Sequence, residues 1–579
     1  MVRSKRLVLV LLALAAIGAA GCRTDPGSPS DRPDAGEAPG PGLDASRVAT
    51  DAASGLDSGP VGSAPDASAQ ADAASAGPDA AAPGPDAGVC EGNEDFEIGA
   101  GTYDLTGPAA ELGMMGYSQV AQKTAGIHTR LRSRAFVIGS PCNGQRAVFV
   151  SADLGMVFQG VEQEVFRRLR ETFGGLYTEQ NVFLSATHTH SGPGGYSYYA
   201  LYDLSVLGFN PQNFDAIVEG LYQSIARAHA NLAPGRIFVA EGDLLDTSIN
   251  RSRAAYDKNP QVERDRYPYD LDKRMTLLRL QTLAGDEIGL VDWFGVHATS
   301  MGNKNRLISG DNKGYASYRF EREKGTDYSA ARSFVAAFAQ ATAGDSSPNI
   351  FGGEDGGGAD DFESTALSGE KQLAKARELY AAASEPLRGA VDSRHVYVKM
   401  DAVDVPASLT DGTPHVTCPA AMGLSAIAGA EDGPGYGVEG ASCEVVALLL
   451  PGLMCTPVQT ECQAEKPIVL ETGTKKPVPY TPAVLPFQLV RLGSLALVGS
   501  PFEVTTTAAR RIRETVAPTL ATLGVTRVIV AGPVNAYSSY VTTREEYSTQ
   551  NYEGASTHFG PWQLVAVQQI YDRLAVAMQ

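Results

Sequence analysis

The chain has 579 residues, 43% of them hydrophobic and 20% charged, a balance that supports large packed cores and excludes fibrous and multispanning membrane proteins. Lys and Arg total 47 against 66 Asp and Glu, for a formal net charge of −19. That acidity argues against a sequence-independent grip on phosphates, so no nucleic-acid partner is expected.

Met1 to Gly21 carries Arg3, Lys5 and Arg6, then the apolar run Leu7 to Ala20, the order of a secretory signal peptide. At 14 residues the run is too short to span a bilayer. It closes on Ala19-Ala20-Gly21-Cys22, which resembles the bacterial lipobox, although Ala19 stands where Leu is usual. The expectation is therefore an exported protein whose lipidated Cys22 holds it at a membrane surface, with plain secretion as the alternative. Residues 22–88 are dominated by Ala, Gly, Pro, Ser and Asp and contain no aromatic residue. Such a segment has too little apolar area to offset its ordering entropy and is expected to act as a tether.

Residues 89–579 form the expected folded unit. Its six cysteines, Cys90, Cys142, Cys418, Cys443, Cys455 and Cys462, are an even set in an exported protein, which predicts disulfides. Short β-branched runs recur and end in polar residues: Arg146–Ser151 before Asp153, Asn181–Ala186 before Thr187-His188-Thr189-His190, and Glu287–Val296 before His297. Leu495–Gly499 likewise precedes Glu503, and Arg527–Ala531 precedes Asn535 and Tyr540. Between them, helical periodicity is read over Phe214 to Ile225, Ser333 to Ala341, Glu370 to Ala383 and Pro561 to Met578. Alternation of this kind predicts an α/β fold with a mixed sheet and an active site at the carboxyl ends of strands.

His188 and His190 are two apart on an expected strand end, which would send both imidazoles to one side. Two converging imidazoles suit a divalent metal, zinc above all, although a T-H-T-H string also reads as a structural, hydrogen-bonding pair. The glycine-rich Ser191 to Gly195 reads either as backbone that approaches a substrate closely or as an ordinary turn. His297 taken alone reads as a core histidine, and His229 as a cation at a helix C-terminus. Ser347, in Gly344-Asp345-Ser346-Ser347-Pro348-Asn349, reads as part of a polar turn after a helix and lacks the G-x-S-x-G elbow of α/β-hydrolases.

Seven strings in one order resemble the neutral ceramidase family: D-L-T-G-P-A-A-E-L-G-M-M-G-Y from Asp104, N-V-F-L-S-A-T-H-T-H-S-G-P-G-G-Y from Asn181, and N-R-S-R-A-A-Y-D-K-N-P from Asn250. The others are W-F-G-V-H-A-T-S-M from Trp293, S-G-D-N-K-G-Y-A-S from Ser309, G-D-S-S-P-N from Gly344, and Y-S-S-Y-V-T-T-R-E-E-Y from Tyr537. The resemblance implies a zinc amidohydrolase that cleaves the N-acyl bond of ceramide to sphingosine and a fatty acid. It implies zinc ligands His188, His297, Glu503 and Tyr540, and catalytic positions at Ser347, His190, Arg251 and Tyr552. In these roles His190 moves the proton, Arg251 and Tyr552 stabilise the oxyanion, and Ser347 either orients the amide or attacks it. Two departures stand out. Ser346 replaces the usual Val, and only about 27 residues follow Tyr552, so the immunoglobulin-like C-terminal domain of the family is expected to be absent. The alternatives are an amidase of the same fold acting on other N-acyl amines, and a surface-binding protein without catalysis.

Overall fold

The computed structural model describes Cys90, residues 92–435, Glu439 and residues 460–579. The signal peptide, Cys22, the tether, Cys443 and Cys455 lie outside the described residues. Among the described residues two disulfides form, Cys90–Cys142 and Cys418–Cys462.

Eight strands make one large sheet: β1 (Phe96–Asp104), β2 (Arg132–Gly139), β3 (Arg146–Ala152), β4 (Val182–Ala186), β5 (Ala233–Asp243), β6 (Arg274–Thr282), β7 (Glu287–Phe294) and β8 (Val335–Gln340). Their spatial order is β8-β7-β6-β5-β1-β2-β3-β4, with the short strand Glu385–Pro386 paired to β5. Only the outermost pairs, β7/β8 and β3/β4, are parallel. A second sheet runs β9 (Val391–Lys399), β10 (Val484–Leu492), β11 (Leu495–Gly499) and β12 (Arg527–Ala531), its last pair parallel. The expected mixed α/β architecture is the one observed.

Side-chain alternation explains how the layers stack. In β2, Phe136 and Ile138 join a core shared with the second sheet through Val490, Leu492, Leu495 and Leu497. Ala135 and Val137 point the other way, toward helices α1 (Gln159–Phe173) and α2 (Pro211–Ala230). Helices α3 (Asp311–Glu323) and α4 (Asp361–Ala382) cover the same outer face over β6 and β7. Helices α5 (Thr506–Ala521) and α6 (Gln563–Met578) cover the outer face of the second sheet. The result is a helix, sheet, sheet, helix sandwich in which strands are buried on both faces, which is why they read as continuous apolar runs. No described helix is long and apolar enough to cross a membrane.

Two sequence expectations are corrected. The run within Ser333–Ala341 is strand β8, not a helix. Its alternate residues enter two different cores, Ala337 and Ala339 one and Ala336 and Phe338 the other, so burial on all sides removed any amphipathic period. Ser347 accordingly follows a strand and lies in the short strand Ser346–Ser347, paired antiparallel with Ile249–Asn250. His229 stands in the last turn of α2 as expected; its Nδ1 lies 2.7 Å from the Tyr177 hydroxyl, and burial, with Arg146, lowers its pKa, which weakens its part as a cation there.

Candidate active site

The parallel strand pairs end on one another. Gln340, the last residue of β8, donates from Nε2 to the carbonyls of Thr187 (3.1 Å) and Val296 (2.8 Å). It also accepts the Val296 amide at 3.2 Å, so one side chain ties together the segments leaving β4 and β7. An isolated parallel bridge, Thr189 to Ala298, continues that alignment and brings His188 and His190 to His297. From the second sheet, Glu503–Val504 pairs in parallel with Tyr540–Val541, with Glu503 opposite Tyr540. Ser347 arrives with Arg251, because Ile249–Asn250 is its strand partner and the Arg251 amide donates to Asp345 O at 3.0 Å.

His188 does not continue an extended strand. Its φ is +69°, a left-handed conformation uncommon for a non-glycine residue. That turn, rather than strand alternation, sets the His188 and His190 rings edge to face at 4.7 Å, with their Nε2 atoms 3.1 Å apart. The glycine-rich turn is structural: Asn213 Nδ2 donates to the carbonyls of Pro193 and Gly194, and Gly192–Pro193 pairs with Met114–Met115.

Glu503 Oε2 lies 3.1 Å from His188 Nε2 and 3.0 Å from His297 Nε2. Bonds of 2.0–2.1 Å to a tetrahedral zinc would set donors about 3.3 Å apart, so these three atoms are spaced to share such an ion. The remaining nitrogens support the same reading: His188 Nδ1 donates to Gly155 O at 2.6 Å and His297 Nδ1 to Ser346 O at 3.1 Å. Backbone carbonyls thereby fix the tautomer that leaves each Nε2 lone pair free. Nitrogen and oxygen donors without thiolate suit zinc. The His188, His190 and His297 ring nitrogens also lie within 4.8 Å of one another, but His190 Nδ1 is buried with no partner, so nothing orients that ring as a ligand.

The electrostatics follow from crowding. Burial alone would raise the Glu503 pKa, yet His188 and His297 hold it well below the usual carboxylate range. Burial, together with His188 and His297, drives His190 well below the usual imidazole value. The Tyr537 hydroxyl donates to Glu503 Oε1 at 2.6 Å, fixing the carboxylate's second oxygen.

Arg251 is committed to protein partners. Its Nε donates to Glu553 and its Nη1 to Asp432, each at 3.0 Å, while Nη2 donates to the Tyr540 hydroxyl (3.0 Å) and Gly344 O (2.8 Å). It therefore clamps Tyr540 and the Ser347 turn from behind. Tyr552 stacks edge-on to Tyr540 at 5.4 Å and lies near the Arg251 guanidinium. Ser347 Oγ accepts the Asn349 amide at 3.1 Å, and its hydroxyl stands beside the Asp432 carboxylate, where a hydrogen bond to it favours the charged form.

All eight sequence-derived site residues thus converge: His188, His190, His297, Glu503 and Tyr540 around one point, and Ser347, Arg251 and Tyr552 beside it. Sequence reading passed over Asp432, Glu553, Tyr537 and Gln340. Tyr537 opens the Y-S-S-Y string and Glu553 follows Tyr552 directly, so both carried a signal. Asp432 and Gln340 carried none.

The family model for neutral/alkaline non-lysosomal ceramidase, N-terminal, matches residues 96–569. The neutral ceramidase of Pseudomonas aeruginosa is 47% identical over 489 residues, covering 84% of this chain and 72% of that protein. The neutral ceramidase of Mycobacterium tuberculosis is 40% identical, covering 83% and 77%. A solved ceramidase complexed with C2 superposes with a TM-score of 0.77 at 46% identity, over 84% of this chain and 75% of that one. The crystal structure of the Pseudomonas aeruginosa neutral ceramidase superposes with a TM-score of 0.74 at 45% identity, with the same coverage. The chain belongs to the neutral/alkaline non-lysosomal ceramidase family.

Proposed function

We propose that this protein is a zinc-dependent amidohydrolase that cleaves the N-acyl bond of ceramide, releasing sphingosine and a fatty acid. The observation that carries the metal reading is the 3.0–3.1 Å convergence of His188 Nε2 and His297 Nε2 on Glu503 Oε2, with both Nδ1 atoms given to backbone carbonyls. His188, His297, Glu503 and Tyr540 would hold the ion. When bound, zinc supplies Lewis-acid polarisation of the scissile carbonyl and acidifies water at its open position.

The chain's own groups do the rest. His190, kept neutral by burial, takes the proton of the attacking water at Nε2 and returns it to the departing amine, which cannot leave well without it. Ser347 Oγ–H donates to the amide and orients it. Tyr552 faces the developing oxyanion, and Arg251 holds Tyr540 and the Ser347 turn at their places. Export and lipidation at Cys22 would put the site at a membrane surface where its substrate resides. A single acyl chain gives only marginal anchoring, whereas two or more are stable.

The test is zinc analysis of the purified protein together with parallel assays of ceramides and N-acyl amino acids, before and after chelation. Stoichiometric zinc, and ceramide turnover abolished by chelator and restored by zinc, is expected. Turnover of N-acyl amino acids in preference to ceramide would identify a related amidase, and no turnover of either a binding protein.

A further inference from the structure

The segment Tyr196 to Asn210, which leaves the T-H-T-H turn, contains five aromatic residues, three leucines and a single charged residue, Asp203, which is buried. Its tip carries large apolar side chains into solvent: Leu207 is 69% exposed, Tyr198 62% and Phe209 43%. The Tyr198 and Phe209 rings pack on each other at 5.3 Å, and both lie on Phe214, at 5.6 and 5.3 Å. The tip is braced. Val206 packs so closely on Gly113 and Gly194 that a Cβ on either would lie within 2.7 Å of it. The Gly208 amide donates to Asp203 O at 3.0 Å, the Asn210 amide to Gly195 O at 2.6 Å and the Leu201 amide to Tyr480 O at 3.1 Å. These contacts hold Leu207 at φ +67°, a left-handed conformation that a leucine avoids unless its surroundings impose it. The promontory adjoins the metal site: Tyr202, in the short helix Ala200–Asp203, donates its hydroxyl to Tyr537 O at 3.2 Å, and Tyr537 in turn grips Glu503.

Braced apolar surface held out to water at a backbone cost marks a contact with something apolar. At roughly 150–250 Å² for a large side chain, the exposed fractions leave roughly 250–450 Å² in the three tips. Doubled across a two-fold axis, that stays below the roughly 1,200 Å² of a stable dimer. A bilayer needs no such area, because each large apolar side chain it takes up adds roughly tenfold to partition. Tyrosine, phenylalanine and leucine without exposed charge are the composition of the membrane–water interface. The charged groups that act on Tyr198 are acids, Glu164 and Asp215, which disfavours an anionic lipid surface. We propose that Tyr198, Leu207 and Phe209 form a docking surface that enters the face of a neutral, zwitterionic bilayer and sets the metal site at the lipid, independently of any anchor at Cys22. The docking surface goes beyond the amide-hydrolysis reading, from which it takes only the lipid nature of the substrate.

The experiment uses the full chain with Cys22→Ser, so that no acyl anchor contributes, and vesicles of phosphatidylcholine with or without phosphatidylglycerol. That parent, Leu207→Asn and Tyr198→Ser/Leu207→Asn are compared by co-sedimentation, and by kcat/KM for N-palmitoylsphingosine in the vesicles and for dispersed N-acetylsphingosine. Asparagine is at ease in the left-handed region, so Leu207→Asn keeps the backbone of the tip. The parent is expected to bind phosphatidylcholine vesicles with no gain from phosphatidylglycerol. Leu207→Asn should partition roughly 10-fold less, and the double variant less again, with hydrolysis in the vesicle falling in step and hydrolysis of N-acetylsphingosine unchanged. Leu207→Trp is the second reporter: against the parent's spectrum its emission should shift to the blue on adding vesicles, and it decides the matter if the asparagine variants do not fold. A parent that ignores phosphatidylcholine vesicles or binds only when anionic lipid is present overturns the inference, as does unchanged partition in both asparagine variants or a Leu207→Trp emission that does not move. So does a parent that is a dimer split by Leu207→Asn, which makes the patch a protein interface. Vesicle binding lost with Leu207 in a protein that hydrolyses neither ceramide keeps the docking surface and overturns the function proposed above instead.

Discussion

Removing the Arg251 guanidinium separates a clamp from an oxyanion donor. In Arg251→Ala, Asp432 and Glu553 keep side chains only 3% and 2% exposed but lose their common cation, and breaking a buried pair by deleting one partner costs about 3–5 kcal/mol. A folded unit of about 490 residues unfolds with an entropy near 1 kcal/mol per degree, so the melting temperature should fall by about 3–5 °C. Turnover should fall about 10²-fold or more as well, because Tyr540 and Gly344 lose the donors that place them. The double variant Arg251→Ala/Glu553→Gln should recover part of the melting temperature, since one stranded charge is gone, while activity stays low. Thermal melts followed by circular dichroism, with zinc content and kcat on the same samples, read all three quantities. An Arg251→Ala protein that melts with its parent and loses only kcat would refute the clamp and return Arg251 to the oxyanion.

His188→Ala should lose its zinc, whereas His190→Ala and Ser347→Ala should keep it and lose about 10²-fold or more in turnover, read by metal analysis and kcat. A rapid-quench acyl adduct on the Ser347 peptide would instead make that serine the nucleophile. Gly116 has φ +120°, and a Cβ there would lie 2.3 Å from His190 Cγ. Gly116→Ala should therefore displace His190 and lose activity with zinc retained, and unchanged kinetics would contradict that placement. Burial, with Glu553 nearby, raises the Glu439 pKa from its ordinary 4.5 to about 7. A carboxyl whose folded pKa is raised stabilises fully below about 4.5 and loses that contribution as pH rises through about 7. Melting temperatures of Glu439→Gln and its parent should then diverge in the variant's favour between about pH 4.5 and 7 and keep that offset at higher pH, and an offset that does not change across that range would exclude the effect.

Much of this protein is written locally. Amphipathic stretches such as Phe214 to Ile225 declare themselves because burial on one face leaves a period, and the short β-branched runs before His188, His297 and Glu503 because burial on both faces leaves them continuously apolar. The pair His188 and His190 was legible from its spacing, whereas the full candidate ligand set came from the ordered strings that carry the family resemblance. Tertiary structure alone decided the rest. Val335–Gln340 became a strand because both of its faces are buried, which erases the period that distinguishes strand from helix. Opposition of Glu503 to Tyr540, and of Ser347 to Ile249, is a matter of register between segments distant in the chain, and no local pattern encodes register. Asp432 is the extreme case: an aspartate in a glycine-rich turn looks like every other such aspartate until the fold sets Arg251 against its carboxylate and Ser347 beside it.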